Sequence, residues 1–241
     1  MREKNQAQLN QIMLVQQAVE AAMAAVVEYL STEHTPTAEE AHAIIDTVLA
    51  QHGCESPEGH IVSAGAGSVE PHEKGQGAIE KGVPIVIDIY PRSIETGYYA
   101  DMTRTVCIGE AAPALQQLYD TVLEGQQLAL SLLAPGVACT DIQKAVHDYF
   151  NKQGYQTSGT GTEFVYAEGF VHAIGHGVGQ EVHEAPNISL RSNDVLEVGD
   201  VITIEPGLYY KELGGVRIED MLHITAGGYV NMSTFPKTFV I

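Results

Sequence analysis

The amino-acid sequence predicts an α+β fold of one domain with two similar halves, roughly residues 1–110 and 111–241. Three observations predict it. Two pairs of helical segments occur, a pair of short apolar strands follows each, and both strand pairs carry acidic residues. The order helix, helix, strand, strand therefore occurs twice. We expect the acidic residues of both halves to meet between them.

Two helices are predicted to open the first half. Between Leu9 and Leu30 apolar residues recur every three or four positions, the spacing of a helix with one buried face. The segment Thr35-Pro36-Thr37 interrupts this pattern and supplies an N-terminal cap. A second helix is then predicted over residues 38–51, because its apolar side chains share one face and Gly53 follows.

A buried strand is predicted from Val83 to Tyr90, since this β-branched run is apolar on both faces. Asp88 lies inside it, where a carboxylate is costly unless it is paired or bound to a metal. Residues 98–108 are the expected partner strand and include Asp101. A hairpin loop between the two strands would let both carboxylates point to one place.

The second half repeats this scheme. Its helices are predicted over Ala114–Leu133 and Thr140–Gln153. A loop rich in Gly, Thr and Tyr leads to the next motif. Residues 200–205 are then predicted to form an apolar strand that ends in Glu205, with residues 215–224 as its partner carrying Glu219. Glu205 thus occupies the place that Asp88 has in the first half.

The segment from Gly175 to Pro186 is the chemically richest part of the chain. His176 and His183 lie seven residues apart among glycines, which we expect to let the backbone approach a ligand. One imidazole and four carboxylates form a hard, oxygen-rich ligand set that holds one or two divalent cations and an activated water. The residues therefore predict a metal-dependent hydrolase.

Composition excludes some partners and suggests a compartment. The chain has 12 Lys+Arg against 31 Asp+Glu, a formal charge of −19, which would repel nucleic acid and anionic membranes. Its first six residues are polar, no uninterrupted apolar run approaches about 18 residues, and the three cysteines are widely spaced. We expect a cytoplasmic protein with reduced thiols and no membrane partner.

Three short motifs resemble those of one known family. Asp101-Met102-Thr103-Arg104-Thr105 is similar to its Asp-x-Thr-Arg-Thr segment, Glu205-Pro206-Gly207 to its Glu-Pro-Gly, and residues 217–220 to its Arg-Ile-Glu-Asp segment. The sequence resembles the pita-bread metallopeptidases, which include methionine aminopeptidases, Xaa-Pro aminopeptidases and prolidases. The resemblance spans nearly the whole chain. It implies a pita-bread fold, with two pseudo-symmetric helix-helix-strand-strand halves around a dinuclear metal site.

The resemblance also implies roles for particular residues. The metal ligands would be Asp88, Asp101, His176, Glu205 and Glu219. They would hold two divalent ions, with Mn²⁺ expected and Co²⁺, Zn²⁺ or Fe²⁺ as alternatives. Glu205 would also be the general base, while His183 and His72 would hydrogen-bond the substrate carbonyl and the oxyanion. His172 and Arg217 would hold the proline end of the substrate.

Simpler explanations stay open for three of these residues. His72 lies in a Pro-His-Glu-Lys segment that also fits a plain polar loop. His172 can instead orient a neighbour, and Arg217 can instead pair with a metal-bound carboxylate.

The branch of the family follows from two positions. Xaa-Pro enzymes carry a histidine four residues before the metal histidine, here His172, and an arginine two residues before the last glutamate, here Arg217. The resemblance thus implies an Xaa-Pro aminopeptidase or dipeptidase that acts on peptides, and a homodimer is the family's expectation. Methionine aminopeptidase and a non-catalytic peptide-binding relative are the alternatives. The chain has only the length of a catalytic domain, whereas Xaa-Pro enzymes usually carry a further N-terminal domain.

Overall fold

A computed structural model describes residues 2–158 and 168–241 of the chain. The described helices are α1 (Gln6–Thr32), α2 (Ala38–Gln51), α3 (Pro113–Ser131) and α4 (Cys139–Lys152). The described strands are β1 (Cys54–Glu55), β2 (Ile61–Ala64), β3 (Pro84–Ile89), β4 (Arg92–Ser93), β5 (Met102–Cys107), β6 (Gly175–Gly177), β7 (Glu184–Ile188), β8 (Val201–Ile204), β9 (Gly207–Tyr210), β10 (Gly214–Arg217), β11 (Asp220–Thr225) and β12 (Gly228–Asn231). A short 3₁₀ helix covers Gly67–Val69.

All four predicted helices are present, with ends within three residues of the predicted ones. Thr37 caps α2 as expected, because its hydroxyl accepts a hydrogen bond from the Glu40 backbone at 3.2 Å. Asn5 caps α1 in a reciprocal arrangement with Gln8. Of the predicted Gly-, Thr- and Tyr-rich loop after α4, residues 159–167 lie outside the described part of the chain.

The strands repeat one arrangement in both halves. Strands β2, β3 and β5 form an antiparallel sheet in that order, and β6, β8 and β11 are neighbours in the same order within a five-stranded sheet. Strand β3 therefore corresponds to β8, and β5 corresponds to β11. The chain has the α+β pita-bread fold that its sequence predicts.

One strand prediction is wrong. Residues 215–224 were expected to form a single partner for the strand ending at Glu205, but they belong to two strands. Strand β10 pairs with β9, whereas β11 pairs with β8. Ile218 and Glu219 lie between them, where the chain leaves one sheet and joins the other, so Glu219 is freed from a ladder and turns towards the site.

Each half has its own apolar core. The first contains the buried faces of α1 and α2 packed on β3 and β5, and the second contains those of α3 and α4 packed on β8 and β11. Helix α1 has the length and mean hydropathy of a helix that could cross a membrane. Its buried residues nevertheless belong to the first core, which is the environment of a core helix.

Buried polar bonds join the two halves. The Thr105 hydroxyl donates to the Arg217 carbonyl at 2.8 Å and accepts from the Arg217 amide at 3.0 Å. Arg104 is 2% exposed and pairs with Asp220 at 2.9 Å. Because these bonds link β5 to the β10–β11 segment, they bring the acidic residues of the two halves to a common seam.

Candidate metal centre

A cavity of about 650 Å³ lies at this seam. Every residue that the sequence analysis assigned to the site lines it: His72, Asp88, Asp101, His172, His176, His183, Glu205, Arg217 and Glu219. The structure thus brings together side chains that are up to 147 residues apart in sequence.

The duplicated strands explain how the four carboxylates converge. Asp88 lies near the end of β3, and Glu205 follows the end of the corresponding strand β8. Asp101 immediately precedes β5, and Glu219 immediately precedes the corresponding strand β11. The Glu219 backbone amide also donates to the Thr103 carbonyl at 3.1 Å, which ties the second half to the first. The carboxylates therefore occupy equivalent ends of two similar sheets.

His176 lies on β6 at the centre of this acidic group. Its Nε2 atom is 3.4 Å from Glu205 Oε1 and 3.7 Å from Asp101 Oδ2. One ligand atom each from Asp101, His176 and Glu219 lie within 4.8 Å of one another. Thr103 donates to Glu219 Oε2 at 2.8 Å and so fixes that carboxylate. The described residues therefore include one compact group of potential ligands with Glu205 beside it.

The glycines around His176 were predicted to let the backbone approach a ligand, but their surroundings indicate a different role. A Cβ atom on Gly175 would lie 2.0 Å from the Thr203 carbonyl oxygen, and one on Gly177 would lie 2.3 Å from that of Ala185. These distances are shorter than any allowed contact. The glycines permit close approach to neighbouring segments of the chain, rather than to a ligand.

Burial and mutual repulsion control ionisation at the site. Burial, followed by the charge of Glu219, raises the pKa of Asp101 well above its ordinary value, and the pKa of Glu205 is raised by the same two causes. Burial and the charge of Asp88 raise the pKa of Glu219 to about 8. Burial, with His183 as the next cause, lowers the pKa of His176 to about 3. His176 is therefore a neutral imidazole, the form that binds metals.

These residues fit divalent cations. Asp88 Oδ1 and Asp101 Oδ1 are buried without a hydrogen-bond partner among the described residues, which is costly unless a cation or water satisfies them. Two ligand atoms that each lie about 2.1 Å from the same ion are no more than about 4 Å apart. The distances from His176 to Asp101 and Glu205 meet that limit. A cation would also offset the repulsion that helps to raise the pKa values of Asp101, Glu205 and Glu219.

A hydrogen-bonded chain joins Arg217 and His172, which line the cavity, through the buried Tyr209. Arg217 Nη1 donates to the Tyr209 hydroxyl at 2.8 Å, and that hydroxyl lies 2.9 Å from His172 Nε2. His172 Nδ1 lies 2.7 Å from the Ala173 carbonyl oxygen. Burial lowers the pKa of His172 to about 3, so its ring is neutral with the proton on Nδ1. Both ring nitrogens have partners within the chain, and Arg217 pairs with Asp88 at 2.8 Å. This geometry suits the alternatives that His172 orients a neighbour and that Arg217 pairs with a carboxylate.

The remaining two histidines occupy different places. The rings of His183 and His176 are edge to face, with centroids 4.2 Å apart, and His183 is exposed to the cavity. His72 lies at an exposed part of the cavity lining, beside the Pro71 carbonyl that accepts from Arg217 Nη1 at 3.3 Å. Each is thus placed where it can meet a bound molecule.

Sequence reasoning missed two contributors. Tyr209 is fully buried and connects His172 to Arg217, but its only sequence signal is its position four residues after Glu205. Thr103 holds Glu219, and its signal was available because it lies inside the Asp-x-Thr-Arg-Thr segment. A hydroxyl one or two residues from a ligand is a candidate for orienting another ligand.

An α+β pita-bread fold with a buried cluster of carboxylates and one neutral histidine is the architecture of a metal-dependent hydrolase. The chain belongs to metallopeptidase family M24, whose family model matches residues 10–226. The family's description as metallopeptidases implies divalent metal ions for its members.

Individual relatives agree with the family assignment. The chain is 36% identical over 182 residues to an uncharacterized peptidase of Bacillus subtilis, covering 75% of this chain and 48% of the relative. It is 34% identical over 213 residues to the Xaa-Pro dipeptidase of Pyrococcus furiosus, covering 88% and 57%. The solved X-Pro aminopeptidase of Thermotoga maritima matches with a TM-score of 0.87 and 30% identity, covering 100% of this chain and 65% of that one. The chain thus spans about half the length of these curated relatives.

Proposed function

We propose that this chain is a metal-dependent peptidase that hydrolyses the N-terminal peptide bond of Xaa-Pro peptides. The observation that carries the proposal is the convergence of Asp101, His176 and Glu219, with ligand atoms within 4.8 Å of one another, in a cavity of about 650 Å³. Relatives named Xaa-Pro dipeptidase and X-Pro aminopeptidase support the substrate class.

Asp88, Asp101, His176, Glu205 and Glu219 would hold two divalent ions. Mn²⁺ is our first choice because oxygen ligands predominate, with Co²⁺, Zn²⁺ and Fe²⁺ as alternatives. When bound, the ions would polarise the scissile carbonyl and lower the pKa of the attacking water.

One side chain would transfer protons, and two others would donate hydrogen bonds to the substrate. Glu205 has a raised pKa and lies 3.4 Å from His176, so it is placed to accept a proton from water and return it to the leaving nitrogen. His183 and His72 would donate to the substrate carbonyl and the developing oxyanion. A proline nitrogen must be protonated as it leaves, which makes an acid with a raised pKa useful.

The His172 ring, which lines the cavity, suits a proline ring. The buried Tyr209 lies behind it with ring centroids 5.5 Å apart, and the hydrogen bonds among His172, Tyr209 and Arg217 fix the His172 ring in place. A fixed aromatic ring can pack against the pyrrolidine ring without losing side-chain freedom on binding.

The test is hydrolysis of Ala-Pro, Ala-Pro-Ala and Met-Ala-Ser by protein stripped of metal and then supplied with Mn²⁺. We expect Mn²⁺-dependent release of the residue before proline. A His176→Ala variant should lose at least about 100-fold in activity, because a lost ligand removes several kcal/mol of transition-state stabilisation. His34→Ala, a change at an exposed histidine, is the matched control and should be fully active.

Other outcomes would replace the proposal. Cleavage of Met-Ala-Ser alone would identify a methionine aminopeptidase. Metal binding without turnover of any of the three peptides would favour a non-catalytic peptide-binding protein.

A further inference from the structure

Gln126 on α3 contacts the backbone beside two of the acidic residues. Its side chain is fully buried, and its Nε2 donates to the carbonyls of Ile204 and Ile218, both at 3.1 Å. Ile204 immediately precedes Glu205, and Ile218 immediately precedes Glu219. One amide group therefore bridges the two backbone segments that carry the glutamates of the site.

This bridge lies where regular strand pairing stops. Strand β8 ends at Ile204, and the chain changes sheets at Ile218. At that change the Ile218 amide reaches the Pro206 carbonyl only at a long 3.4 Å. The β8–β11 ladder ends at the pair Ile204–Asp220, and next to that pair the Gln126 amide is a second, well-formed link that fixes the spacing of these two segments.

The first half has a different arrangement. Gln16 on α1 is also buried, but its Nε2 contacts the Ser233 hydroxyl at 3.1 Å and the Met102 sulfur at 3.7 Å. Within the described part of the chain it makes no hydrogen bond to the backbone beside Asp88 or Asp101. Among these two buried glutamines, the backbone bridge is specific to Glu205 and Glu219.

The carbonyl oxygen and the N–H donors of the Gln126 side-chain amide have different surroundings. Its Oε1 is buried and has no hydrogen-bond partner among the described residues. An unpaired buried oxygen costs free energy, and the Oε1 atom of Gln16 is unpaired in the same way. The two glutamines differ in their donors, since both N–H donors of Gln126 are used on the segments that carry the glutamates.

We propose that Gln126 is a positioning residue of the metal centre, which holds the Glu205 and Glu219 carboxylates at the separation that cations require. The inference rests on the proposed metal site, although not on the identity of the peptide. It assigns to α3, which contributes none of the predicted ligands, control over two of them.

Gln126→Met tests this inference because methionine has a similar length and no donors. Gln127→Met is the matched control, since Gln127 is the next residue on the same helix and is exposed. Stripped proteins would be titrated with Mn²⁺ by calorimetry at 25 °C, and their Co²⁺ forms compared by visible absorption. Loss of a residue that orients ligands typically weakens metal binding about 10–100-fold. We expect that loss and an altered Co²⁺ spectrum in Gln126→Met, and neither change in Gln127→Met.

A folded Gln126→Met protein with wild-type Mn²⁺ affinity and Co²⁺ spectrum would overturn the inference, even if its melting temperature fell. If this variant does not fold, Gln126→Leu provides the same readouts with a smaller side chain. Failure of this inference and failure of the proposed function would give different results, because the first is read from metal binding and the second from peptide hydrolysis. Wild-type protein that binds Mn²⁺ but cuts no peptide would refute the peptidase proposal alone.

Discussion

Arg217 Nη2 lies 2.8 Å from Asp88 Oδ2, and this ion pair joins β10 of the second half to β3 of the first. The side chains are 4% and 12% exposed, so water screens their interaction poorly. The pair gives Asp88 a direct counter-charge that Asp101, Glu205 and Glu219 lack among the described residues. Those three carboxylates therefore depend on protons or cations to relieve their repulsion.

Replacing this arginine should strongly destabilise the metal-free protein. Arg217→Met would leave the Asp88 carboxylate buried without its partner, and loss of one member of a buried pair typically costs about 3–5 kcal/mol. We expect that decrease in the free energy of unfolding, measured with urea in the presence of EDTA at pH 7.5. The control is Arg92→Met, which breaks an exposed pair with Glu55 at 2.7 Å and should cost less than about 1 kcal/mol. Equal decreases in the free energy of unfolding of the two variants would contradict the prediction that the buried pair contributes more than the exposed one.

Stability of the metal-free protein should fall as the pH rises from 7 to 8. The pKa of Glu219 is raised to about 8, and those of Asp101 and Glu205 are raised as well. A carboxyl with a raised folded-state pKa adds stability that is complete below its unfolded value near 4.5 and lost as the pH passes the folded value. Histidines with lowered pKa values act in the opposite direction as the unfolded chain loses its last imidazole protons, so a variant that changes only a carboxyl and keeps every histidine isolates the carboxyl effect.

Thermal unfolding in EDTA at pH 7 and pH 8 measures this effect. One carboxyl that keeps its proton only in the folded state lowers the free energy of unfolding by about 1 kcal/mol as the pH rises from 7 to 8. Saturating Mn²⁺ should reverse the trend, because cations bind deprotonated ligands and binding strengthens as the pH rises. A Glu219→Gln protein in EDTA should show a weaker dependence on pH than wild type. An equal dependence on pH in wild type and Glu219→Gln would show that the pKa of Glu219 is not raised.

His183 should contribute to turnover more than to metal binding. Its ring contacts that of His176 and is exposed to the cavity, where it can donate to a substrate oxygen. Removal of one such donor typically lowers kcat about 100–1,000-fold. We expect that loss for His183→Ala on Ala-Pro, with Mn²⁺ affinity within about threefold of wild type. His223→Ala, outside the cavity lining, is the control. A parallel loss of metal affinity would instead make His183 a ligand.

Adding one methyl group at Gly175 should be disruptive. Its Cβ would lie 2.0 Å from the Thr203 carbonyl oxygen, so strands β6 and β8 would have to separate. Overpacking of this kind typically costs about 1–3 kcal/mol, and it would also move the adjacent His176. Gly227→Ala is the control because a Cβ there meets nothing within 4 Å. Urea unfolding of both variants measures the loss of stability, and Mn²⁺ titration measures the effect on the metal site. A Gly175→Ala protein with the wild-type free energy of unfolding would refute the close packing.

The helices were predictable because their signals are local. Apolar spacing located α1 and α2, and the Thr37 cap was visible in the sequence. The division of residues 215–224 was not predictable, since both strands are apolar and nothing local marks Glu219 as the point where the chain changes sheets. The glycines beside His176 were recognisable as sites of close approach, but the approaching group lies on another strand.

Local patterns were sufficient to predict the four helices, the strands that carry or precede Asp88 and Glu205, the family and the set of candidate ligands, because periodicity, capping and short motifs are encoded by neighbouring residues. Which side chains control that set depends on tertiary contacts. Arg217 pairs with Asp88 across 129 positions, and Gln126 reaches Ile204 and Ile218 across 78 and 92. These contacts depend on how the two halves pack at their seam. No local pattern records that packing, because it is fixed by the combined burial of two cores.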